Sequence, residues 1–151
     1  MAYENTQNAS IKERGDLIVS TLAKVQVAHG KNPAGAQTGL VYPFDVRSFQ
    51  NLYDKAQMGP GGDGGGNCEP ICVPFYVMHK VLAGMIDQNT RAGNAQALEV
   101  ANGMAAWTHQ SVEGMIKQWG EQKWQGVLDT EWGGMNGECR SGRLGRTVPR
   151  L

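Results

Sequence analysis

The segment FYVMHK, residues 75–80, sets Tyr76, His79 and Lys80 within one helical turn of one another. An aromatic ring beside an imidazole and an ammonium can form one wall of a sugar pocket, where the ring covers an apolar sugar face and the donors take hydroxyls. A lone histidine at the edge of an apolar helix face also serves as a hydrogen-bonded structural residue. Both readings stand on these residues alone. A second group lies in TEWGGMN, residues 130–136. Glu131 follows Trp124 by seven residues and Leu128 by three, which places it on the apolar stripe of the preceding helix. A carboxylate there must be paired, hydrogen-bonded or protonated. Gly133 and Gly134 let the backbone turn sharply and come close to a ligand. Glu131, Trp132 and Asn136 thus make a candidate carbohydrate subsite. The alternative is a glutamate bonded to helix-end amides.

Other reactive side chains form no comparable set. Cys68 and Cys72 flank three residues in CEPIC, and Cys139 lies far downstream. A zinc site needs about four ligands, commonly in two closely spaced pairs, and no second pair exists. No metal is expected in this chain; a Cys68–Cys72 disulfide or two unpaired thiols fits better. GPGGDGGGN, residues 59–67, has the glycine content of a phosphate cradle but not the lysine and hydroxyl that close one. It reads as a surface loop. His29 and His109 read as surface residues near helix ends.

The totals narrow the function classes. The 151 residues carry 14 basic and 14 acidic side chains, for zero net charge and a pI near 6.8. Nucleic-acid binders usually show a basic surplus, so no such partner is expected. Hydrophobic residues make up 40 % of the chain, enough for a core. No apolar run approaches the ~20 residues of a membrane span, and the polar, acidic N-terminus does not read as a signal peptide.

The elements that must position these residues are helical. Ser10 and Glu13 have capping-box spacing, which predicts a helix over 10–29 with Ile11, Leu17, Ile18, Leu22 and Val25 on its inner face. Residues 30–73 hold little helical signal. A helix starts at Pro74, with Phe75, Met78, Leu82, Met85 and Ile86 as its stripe. Further helices are predicted over 94–109, 111–119 and 121–131, the last using Trp124, Val127 and Leu128. No strand pattern appears, and the helices share no repeat signature. The fold class is all-α, built of antiparallel helical hairpins with a long Gly-rich loop.

With those elements in place, the chain resembles the catalytic region of the β-L-arabinofuranosidase-like glycosidases, glycoside hydrolase family 127. The resemblance rests on Y-x-x-H-K-x-x-A-G-x-x-D, here Tyr76, His79, Lys80, Ala83, Gly84 and Asp87. It continues through N-A-x-A-L and a tryptophan, here Asn94, Ala95, Ala97, Leu98 and Trp107, to the GGMN turn. Leu17 to Gln26 is similar to the preceding helix of that family. The resemblance implies an (α/α)6 toroid around a sugar pocket and hydrolysis of arabinofuranosyl or related linkages with retention. It also implies a zinc-coordinated cysteine nucleophile and a glutamate acid/base, both well downstream of GGMN. Cys68, Cys72 and Cys139 do not match those ligands, so zinc stays with the parent family and the chain alone is expected to be inactive.

What carries over is the pocket wall: His79, Tyr76, Glu131 and Asn136. Trp132 stands where the family has histidine, and Gly137 where it has glutamate. Residues 1–136 therefore read as a partial catalytic domain. The arginine-rich tail 137–151 reads as an irregular segment from a shifted frame. Such a piece is expected to contact carbohydrate and to self-associate through exposed apolar surface. The alternative is a non-catalytic helical module that binds carbohydrate or protein. The parent family is often secreted; the chain itself carries no address.

Overall fold

The computed structural model describes residues 2–31, 38–44, 46, 48–49 and 74–131, with only the backbone of 129–131. Five helices carry most of these residues: α1 (Ala2–Thr6), α2 (Ala9–Gly30), α3 (Pro74–Ala92), α4 (Ala95–Trp119) and α5 (Glu121–Glu131). No strand occurs among the described residues, so the chain is all-α as its sequence predicts. No helix among them is long and apolar enough to cross a membrane. Cys68, Cys72 and Cys139, the Gly-rich loop and the tail 137–151 lie outside the described residues.

α2 begins earlier than the capping box suggested. Asn8 is its N-cap, accepting from the Ser10 amide at 2.9 Å, after Gln7 turns the chain at a φ of 52°. The asparagine carboxamide satisfies a free first-turn amide, and Ser10 lies inside the helix.

The inner face of α2 is also corrected. Gly15 and Val19 are buried and Leu22 and Ala23 pack on the core, whereas Leu17 and Ile18 are 66 % and 57 % exposed. Close approach explains the rotation. A Cβ at Gly15 would stand 2.7 Å from the Gln88 amide nitrogen, so α2 meets α3 along its small residues and turns Leu17 and Ile18 outward.

α3 and α4 form the central hairpin. Gly93, at a φ of 70°, closes α3 by giving its amide to Asn89 O while Asn94 gives its own to Gln88 O, both at 3.1 Å. This capping pair satisfies carbonyls that the helix end would leave open. Asn94 then caps α4, accepting from the Ala97 amide at 3.1 Å.

The two helices expected over 94–109 and 111–119 are one. Gln110 and Ser111 contain no breaker, and α4 runs 25 residues to Gly120, which turns at a φ of 82° and returns its amide to Ile116 O. His109 is therefore mid-helix and only partly exposed, not at a helix end.

Met78, Leu82, Ala101, Met104 and Ala105 are fully buried between the hairpin arms. α2 packs across both arms, and α5 folds back on α4 with Val127 buried. The short apolar stretch after α2 completes the core. Leu40, Val41 and Tyr42 are buried, and Tyr42 begins a chain of edge-on aromatic contacts. Phe49 meets Tyr42 at 4.9 Å, Trp107 at 4.8 Å and Phe75 at 5.2 Å, and Phe75 meets Trp124 at 5.9 Å. Such pairs add roughly 0.5–1.5 kcal/mol each beyond burial. They fix the start of α3, where the candidate site lies.

Candidate functional site

α3 carries Tyr76, His79 and Lys80 on the edge of its buried stripe. Met78 and Leu82 anchor the helix in the core on either side of His79, which is itself buried at 8 % exposure. Tyr76, one turn earlier, is 43 % exposed. The helical period thus sets a buried imidazole beside an exposed ring, with centroids 5.4 Å apart and planes at 69°.

His79 Nδ1 lies 3.0 Å from the carbonyl oxygen of Tyr76. A carbonyl only accepts, so this contact places hydrogen on Nδ1 and leaves Nε2 an acceptor in the neutral ring. The backbone of α3 therefore fixes both the tautomer and the ring orientation. Lys80 Nζ stands 4.8 Å from the Tyr76 centroid, a cation–π contact that covers one face of that ring.

Of the four residues read from sequence, the structure brings Tyr76 and His79 together. Glu131 is the last residue of α5, with its side chain outside the described residues, as is Asn136.

Sequence reasoning missed the residues that hold α3 and α4 in place. Asn94 donates to Asp16 at 2.6 Å, and Lys12 binds the other carboxylate oxygen of Asp16 at 2.7 Å. Gln26 reaches two carbonyls, Gly39 O and Val100 O. Asn94 was discoverable, since asparagine just before an apolar helical run is a cap signal. Gln26 carries no such signal.

The described residues do not fit a zinc site. No three His, Cys, Asp or Glu among them gather to hold a metal ion.

No curated protein and no solved structure matches the chain significantly. A family model does: the one described as Beta-L-arabinofuranosidase, GH127 catalytic domain, matches residues 1–139. That span includes every described helix and the whole of FYVMHK and TEWGGMN. With nearly its entire length matched, the chain belongs to the β-L-arabinofuranosidase-like catalytic domains of glycoside hydrolase family 127.

Proposed function

We propose that this chain forms one wall of a family 127 sugar pocket and binds an arabinofuranosyl unit without cleaving it. His79 carries the reading. Its Nδ1 is held on Tyr76 O, so Nε2 is set to accept from a sugar hydroxyl beside the exposed Tyr76 ring. Glu131 and Asn136, at and after the end of α5, supply further hydroxyl contacts in this proposal. The helical hairpins form an arc of an (α/α)6 toroid. The nucleophilic cysteine and its zinc have no counterpart in the spacing of Cys68, Cys72 and Cys139, which is why binding rather than turnover is assigned.

Titration of the chain with an arabinofuranoside, followed by NMR shifts or calorimetry, tests this. His79→Ala should weaken binding at least tenfold while the far-UV spectrum stays helical, and Tyr76→Ala should weaken it less. Equal affinity in both variants and the parent chain would overturn the pocket assignment. Release of free arabinose by the chain alone would overturn the assignment of binding without cleavage.

A further inference from the structure

Tyr76 stands between two polar neighbours on α3. At about 100° per residue, His79 lies ~60° around the helix to one side of it and Lys80 ~40° to the other. The His79 ring centre is 5.4 Å from that of Tyr76, and Lys80 Nζ is 4.8 Å from it. His79 is buried, whereas Tyr76 and Lys80 are exposed. A buried acceptor and an exposed cation thus flank one accessible aromatic ring.

No acid answers that cation. Asp87 and Arg91 share the outer side of α3 with Lys80, each within ~20° of it but two or three turns further along. Asp87 Oδ1 accepts from Arg91 at 2.9 Å, and Arg91 also donates to Glu4 at 2.6 Å. Both acids are therefore engaged by the arginine. Among the described residues Lys80 makes no ion pair, and its ammonium rests on the Tyr76 ring alone. Gly84, one turn past Lys80 on the same outer side, leaves the approach open. No described residue lies within 4 Å of a Cβ built there. A glycine inside a helix is destabilising relative to alanine, and here no packing among the described residues requires it.

We infer that Lys80 selects for charge: the sugar held at Tyr76 and His79 bears a carboxylate, which pairs with the Lys80 ammonium from the open side above Gly84. The inference rests on the pocket reading above and adds the class of its ligand, an acidic furanoside. His79 Nε2 takes a hydroxyl on one edge of the ring while Lys80 takes the anionic group on the other. The pair lies near the surface, so its contribution is modest and salt-sensitive.

Two ligands that differ in one group test it: methyl arabinofuranoside, and the same glycoside with its C5 hydroxymethyl oxidised to a carboxylate. Calorimetric titration of the full chain at pH 7 and low salt should give at least about fivefold tighter binding of the carboxylate. The ratio should fall towards one in 0.5 M salt. Lys80→Gln, a change at an exposed position, should bring the ratio to about one with the helical spectrum retained, and Lys80→Arg should keep it. A carboxylate bound no tighter than the neutral glycoside overturns the inference and leaves the pocket reading standing. So does a preference that survives Lys80→Gln. Failure of both ligands to bind overturns the pocket reading and the inference with it.

Discussion

Gln26 donates through Nε2 to the carbonyl of Val100 at 3.0 Å, and the same nitrogen gives its second hydrogen to Gly39 O at 2.8 Å. One amide thus ties α2 to α4 and to the strip that follows α2. Glycine makes room for it. A Cβ at Gly103 would stand 2.7 Å from this nitrogen, and one at Gly39 would collide with the Gly103 carbonyl.

Replacing Gln26 by leucine keeps the volume and removes both bonds. The Gly39 carbonyl then loses this donor in a part-buried place. Such losses cost about 1–3 kcal/mol. Urea unfolding should show a lower midpoint with an unchanged slope. A Gln26→Leu variant as stable as the parent would mean that water replaces the amide without loss.

Gly39 and Gly93 both have positive φ, at 96° and 70°, but only Gly39 is crowded. Nothing lies within 4 Å of a Cβ built at Gly93. Gly93→Ala should therefore cost only backbone strain, about 1 kcal/mol. Gly39→Ala adds a clash with rigid helix backbone and should cost ~3 kcal/mol or more. Thermal unfolding of the two variants should rank them in that order; the reverse order would refute the packing of this strip on α4.

Asp16 gives a pH signature. The Lys12 hydrogen bond, then that from Asn94, holds its carboxyl below the ordinary value of 3.8. A lowered folded value means that the ionised pair adds stability above 3.8 and loses it as pH falls through the folded value. Asp16→Asn keeps an acceptor for Asn94 but gives Lys12 no charge. The stability gap between the two proteins should be constant above about pH 5 and close under acid. Both side chains are more than a third exposed, so the gap should be only ~0.5 kcal/mol and should shrink in salt. A gap that widens in acid would contradict the sign.

The longer helices were legible because each carries an apolar stripe, and the stripe of α3 is buried as read, whereas α1 buries no residue and left no signal to read. Which stripe of α2 faces inward was not legible. Ile11, Leu17 and Ile18 outweigh Gly15 and Ala23 in any hydrophobic pattern, yet the small residues permit the close approach and decide the packing. The break expected after His109 does not occur: Thr108 folds its hydroxyl onto Met104 O at 2.9 Å and stays in the helix. At the site, the Tyr76–His79 pairing follows from helical period alone. The bond from His79 to Tyr76 O and the cation–π contact of Lys80 depend on rotamers that spacing does not specify.

The continuity of α4 sets a limit on how this chain can change length. Its 25 residues span ~37 Å and are gripped near the start by α2 and near the end by α5. One codon inserted past the midpoint would rotate everything beyond it by about 100°. Val112 and Met115 would leave the core while Val100 and Gly103 stayed in place. Surface loops absorb such additions readily; this helix is where an insertion or deletion would do the most harm.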